Sequence, residues 1–164
     1  MMQILSHTPT FVFILFFVLL VFGFIQTRDR KVNLILAFLL PVLMAVFSLA
    51  GVFSSFGISL ITIGLWLGGL IIVTYLAYRF FSTKGISYSS AESKFFIPGS
   101  WVPFSVIMAI FFTKYAVGIM TGMQMALVHQ LHFVFILSFL YGCFSGYFIA
   151  RGINLMAVQS ESER

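Results

Sequence analysis

Acidic side chains are scarce in this sequence. Asp and Glu together number 4 against 9 Lys and Arg, and charged residues make up only 8% of the 164. Soluble domains carry about 25%, so this composition excludes a domain whose main solvent is water. The acids are Asp29, Glu92, Glu161 and Glu163, and none lies inside an apolar run. Ion-coupled pumps use an intramembrane carboxylate, and none is offered here. Glycoside hydrolysis needs a pair of carboxylates at the scissile bond, and that is missing too. Cysteine is almost absent: Cys143 stands alone, which excludes an intrachain disulfide and leaves the compartment undefined.

What is present is apolar. Hydrophobic residues make up 61% of the chain and aromatics 18%, with 22 phenylalanines. A helix that crosses a bilayer needs about 20 mostly apolar residues. Five segments qualify, at about 10–26, 34–53, 58–78, 102–121 and 126–150. The expectation is an all-α, polytopic integral membrane protein, a five-span helix bundle in which residues 1–164 form a single transmembrane domain. The first segment can start at Pro9, whose missing N–H costs nothing in a first turn. No positive charge precedes it, so it does not read as a cleavable signal peptide. Pro41 lies inside the second segment and predicts a kink there.

The basic residues supply an orientation. Arg28, Arg30 and Lys31 follow the first segment; Arg79, Lys84 and Lys94 lie between the third and fourth; Arg151 and Arg164 follow the fifth. On a five-span path all of these fall on one side, which the positive-inside rule makes cytoplasmic. The N-terminus is then outside and the C-terminus inside. The same distribution accounts for the net charge of +5 without any nucleic-acid partner. The connection 79–99, "RFFSTKGISYSSAESKFFIPG", reads as a cytoplasmic loop in the headgroup layer, with Phe80, Phe81, Phe95 and Phe96 dipping in. The tail "VQSESER" reads as a short solvated end.

Small residues mark where helices touch. Ser138, Gly142, Gly146 and Ala150 recur every four positions in the fifth segment, and Gly64 and Gly68 repeat the device in the third. Small residues on one face let backbones approach in lipid. Either these two helices pack together or one forms an interface, as in a homo-oligomer or a subunit of a membrane complex.

Lys114, in "FFTKYAVG", is the one ionisable residue well inside an apolar run. It lies roughly 20 Å along the helix from the inner end of the fourth segment, in the outer part of a bilayer. A lysine near a helix end can snorkel to headgroups. If it is buried, its partner is a carbonyl, a hydroxyl such as Thr113 or Tyr115, or a bound anion, because every acid lies on the other side. His7, His129 and His132 share its side. Lys114, His7, His132 and Tyr115 therefore form a candidate site near the outer face, electropositive when the histidines protonate near their usual pKa of about 6.5. Such a site suits an anionic or lipid- or quinone-like ligand. The alternative is a metal site. Met120, Met123, Met125, His129 and His132 occur together in "IMTGMQMALVHQLH", and thioether and imidazole ligands suit copper. On one helix His129 and His132 stand about 60° apart. Haem held by facing histidines is the variant of that reading. The bland reading is an apolar turn.

Four phrases carry a resemblance: "ILSHTPTFV", "RDRKVNLILAFLLPVLM", "PGSWVPFSVIMAIFFTKYAVG" and "LYGCFSGYFIARGINL". In that order the chain resembles a family of small, uncharacterised bacterial inner-membrane proteins. The resemblance implies a shared multi-span fold in the bacterial inner membrane and no particular chemistry. His7, Pro41, Lys114, Gly142, Gly146 and Arg151 lie within those phrases. No nucleophile–base pair is visible, so the functional expectation is a non-enzymatic accessory or ligand-binding membrane protein without a cofactor. The copper- or haem-handling redox protein is the alternative.

Overall fold

A computed structural model gives the fold; it describes residues 9–57, 59–80, 85–90 and 92–162, with the backbone alone for Leu40 and His129. Among the described residues five α-helices are formed: α1 (Thr10–Ile25), α2 (Leu34–Phe56), α3 (Leu60–Phe80), α4 (Trp101–Gly122) and α5 (Leu131–Ser162). Four of them, α2 to α5, are long and apolar enough to cross a bilayer. The first expected span is a shorter helix of 16 residues, about 24 Å long.

The helices start and stop where side chains can satisfy free backbone groups. Ser59 and Thr62 cap α3 reciprocally: Thr62 N donates to Ser59 Oγ at 3.1 Å, and Ser59 N donates to Thr62 Oγ1 at 3.2 Å. Ser100 accepts from Val102 N at the start of α4, and Pro103 occupies its first turn, where no intrahelical N–H is needed. At the end of α2, Gly57 takes φ +73°, a backbone that residues with a Cβ rarely adopt. α2 continues through Pro41, which is buried against Gly152 of α5.

The all-α expectation is corrected at one end of the bundle. Strands β1 (Arg30–Asn33), β2 (Ser87–Ser89) and β3 (Lys94–Ile97) form an antiparallel sheet in the order β1-β3-β2. The segment 79–99 is therefore not wholly loop, and its aromatics divide. Phe95 is fully buried beneath the sheet with Ile97, Ala37 and Leu155, whereas Phe96 and Phe80 are exposed; Phe81 lies outside the described residues. The fifth helix is also shifted. Residues 126–129 form a separate 3₁₀ turn, and α5 runs on to Ser162 instead of ending at Ala150, so that 158–162 of the expected solvated tail are helical. Ser162 Oγ donates to Tyr88 O at 3.2 Å, tying that extension to the sheet.

α5 is the centre of the bundle, with α3 and α2 packed on it. Val52, Trp66 and Tyr141 are buried together toward the end far from the sheet. Between these clusters, Ile107 and Ile110 of α4 meet Tyr147 and Phe148 of α5, with Leu19 and Phe22 of α1 against them. Of the two alternatives for the small-residue faces, a contact between α3 and α5 is present, but on α3 it uses a different glycine. A Cβ on Gly142 would strike the Trp66 carbonyl, and one on Gly146 would come within 2.5 Å of Leu70 O. From the other side Gly69 approaches the Phe139 carbonyl, while Gly64 and Gly68 face open space. Ser138 and Ala150 are buried in the same stripe. Ser138 Oγ has no hydrogen-bond partner among the described residues, so it serves there by its small size.

Candidate ligand groove

A cavity of about 880 Å³ lies between α1 and α4. Pro9, Val12, Leu15 and Leu19 of α1 form one wall, and Phe47 of α2 contributes to the lining. The other wall is α4 from Ile110 to Met123, a rise of roughly 20 Å. The groove exists because that face of α4 lacks side chains where it needs room. A Cβ on Gly118 or Gly122 would meet nothing within 4 Å. Lys114, Gly118 and Gly122 follow one another at intervals of four and so share a face. Tyr115 also lines the groove, its ring stacked on Phe111 with centroids 6.0 Å apart and planes 7° from parallel.

Lys114 is the charged group in this lining. Its Nζ donates to Phe47 O at 2.9 Å and lies 3.7 Å from the Phe47 ring centroid and 5.8 Å from that of Tyr141. Gly51, one turn beyond Phe47, leaves room for it: a Cβ there would come within 2.6 Å of Nζ. Of the three partner classes open to a buried lysine, the structure supplies a carbonyl, and two aromatic faces add cation–π attraction. An ammonium has three donors, and one of them is committed to Phe47 O.

Of the residues expected to act with Lys114, the structure brings only Tyr115 into the same lining. His132 is exposed in the first turn of α5 and does not line the groove; His7 lies outside the described residues. The methionine and histidine stretch does not assemble as one helical face. α4 ends in a Schellman turn: Met125 N donates to Met120 O and Gln124 N to Thr121 O, both at 3.0 Å. Gln124 takes φ +52°. His129 ends the 3₁₀ turn, and Gln130 is extended with ψ 133°. His129 and His132 therefore sit on different elements, and the 60° separation expected of a single helix does not apply. Met123 reaches the groove, Met125 is exposed and Met120 is half-buried. Among the described residues no group of three or more His, Cys, Asp and Glu is placed to hold a metal ion.

Sequence reasoning missed Phe47, Gly51, Gly118 and Gly122. The last two carried a signal, since they repeat at four-residue spacing after Lys114. Phe47 and Gly51 carried none, because which face of α2 meets the lysine is decided by tertiary packing.

Residues 1–163, almost the whole chain, match the family of unknown function DUF6622. The chain belongs to that family. No curated protein and no solved structure matches it. Membership in DUF6622 accords with the resemblance to an uncharacterised family and assigns no chemistry to the groove.

Proposed function

We propose that this DUF6622 chain is a non-enzymatic protein of the bacterial inner membrane that holds an apolar molecule in the α1–α4 groove. All five helices cross the bilayer in this reading, with the N-terminus outside and the sheet end cytoplasmic. The basic residues support it: Arg28, Arg30, Lys31, Arg79, Lys94 and Arg151 all belong to the sheet end, and Lys114 to the other half. The observation that carries the ligand reading is a largely apolar groove whose lining includes one cation. Ligand sites are apolar concavities with a few placed polar groups. A ligand with an anionic or carbonyl-bearing head places that oxygen at Lys114, and its apolar body lies along Gly118 and Gly122. No cofactor and no reaction enter this reading.

The test is extraction and mass spectrometry of what co-purifies in mild detergent. A Cβ at Gly118 meets nothing within 4 Å, so Gly118→Phe projects its ring into the groove, and its preparation is expected to lose the bound species. Lys114→Met is expected to keep apolar material but lose selection for an anionic or carbonyl-bearing head. Identical extracts from the wild type and both variants would refute the proposal.

A further inference from the structure

A second charged constellation lies at the sheet end, well away from Lys114. Along β1 the side chains alternate. Lys31 and Asn33 are on the exposed face, while Arg30 and Val32 are on the half-buried one. The register places Arg30 opposite Ile97 and Val32 opposite Phe95, and both partners are buried. Arg30 thus sits on the side of the sheet that faces the helices. Its Nη2 donates to Gln26 Oε1 at 2.5 Å, and Nη1 reaches Ile25 O at 3.5 Å. Gln26 is itself only 5% exposed. Arg151 of α5 lies one helical turn from Tyr147, which is clustered with Phe22 of α1, and one turn from Leu155, which is clustered with Ile97. It therefore stands on the same side as Arg30, and the two charges oppose each other.

Among the described residues no carboxylate is paired with Arg30 or Arg151. Asp29 accepts from Gly99 N at 2.7 Å, and Glu92 pairs with Lys31 at 3.0 Å on the opposite face of the sheet. Glu161 is exposed on the far extension of α5, roughly 15 Å along the helix from Arg151. Burial first, and the Arg151 charge second, hold the Arg30 pKa down to about 10, with Tyr147 acting in the opposite direction. The Arg30 guanidinium therefore stays charged at neutral pH. Two cations with forked donors on one side of the sheet end, beside a buried amide and a buried phenol, are the chemistry that suits a phosphate group.

We propose that Arg30 and Arg151, with Gln26 and Tyr147 behind them, form a binding site for a phosphate group at the sheet end. The site does not depend on the groove reading, because it shares no residue with the groove. The phosphate belongs either to an anionic phospholipid headgroup or to a free anion, and the test separates the two.

Full-length protein is unfolded thermally in nanodiscs of phosphatidylcholine alone or with phosphatidylglycerol, and separately in uncharged detergent with inorganic phosphate. Stabilisation by phosphatidylglycerol alone identifies a lipid headgroup. Stabilisation by inorganic phosphate as well identifies a free anion as sufficient. In either case the response is expected to vanish in Arg30→Gln and Arg151→Gln. It should persist in Lys31→Gln, which removes the same charge from the other face of the sheet. Should Arg30→Gln fail to fold, Arg151→Lys keeps the charge but loses the fork, and is expected to weaken half-saturation by about tenfold. Native mass spectrometry of the wild type then gives the count, with one phosphatidylglycerol or one phosphate retained per chain expected. No response in the wild type, or equal loss in all variants including Lys31→Gln, overturns the site.

Discussion

Gln124 holds a position that glycine usually takes. The Schellman turn after α4 needs a left-handed residue, and Gln124 supplies it at φ +52° despite its Cβ. That conformation costs an L-residue about 1 kcal/mol or more. Gln124→Gly is accordingly expected to stabilise the protein by about 1 kcal/mol, read as a higher midpoint in thermal unfolding in detergent. A lower midpoint would mean that the glutamine side chain contributes something the turn geometry does not require. At the same scale Lys114 was legible in the sequence as a residue in need of a partner. Its choice of Phe47 O over Thr113 or Tyr115 was not legible. A carbonyl in the interior of α2 is offered by every residue of that helix, and only packing selects one.

Between elements, the α3–α5 contact sets a clear contrast. A methyl group on Gly142 would overlap the Trp66 carbonyl, so Gly142→Ala must push two backbones apart. Overpacking of this kind costs about 1–3 kcal/mol. Gly68→Ala meets nothing within 4 Å and replaces a poor helix former by a good one, a gain of up to about 1 kcal/mol. The two substitutions are chemically identical and should move the unfolding midpoint in opposite directions. Equal effects would show that α3 and α5 do not touch along this stripe. The stripe on α5 was readable because Ser138, Gly142, Gly146 and Ala150 are spaced evenly. On α3 the four-residue rule selected Gly64 and Gly68, yet the contact uses Gly69, about 100° further round the helix. Spacing identifies a small face, and the partner's shape decides whether that face is the one used. Phe16 makes the same point in reverse: nothing in an apolar run reveals that its ring packs on Phe111, with centroids 5.2 Å apart.

For the molecule as a whole, the test is sidedness. Gln130 is exposed at the end far from the sheet, and Ser89 is exposed on β2. In a Cys143→Ala background, Gln130→Cys is expected to react with a membrane-impermeant maleimide in intact cells. Ser89→Cys should react only after permeabilisation. The reverse pattern would invert the orientation, and labelling of both in intact cells would exclude a crossing by α4, which separates the two positions. The helices were legible because runs of about 20 apolar residues are hard to place elsewhere. The sheet was not. "RKVN" and "KFFI" are too short to show an alternation, and their pairing joins positions more than sixty residues apart, as between Arg30 and Ile97.

The central position of α5 has a consequence for assembly on the ribosome. α2 and α3 emerge well before α5, yet each packs mainly on α5 and only slightly on the other. Until α5 joins them, Ser48 has no Tyr141 carbonyl to donate to, the bond it makes at 2.7 Å in the finished protein. The surfaces around Val52 and Trp66 meanwhile lack the neighbour that covers them. β1 waits as well, because β3 has to be synthesised before its edge is paired. The bundle is therefore completed from its last helix inward, and its early helices are made before the neighbour that holds them together.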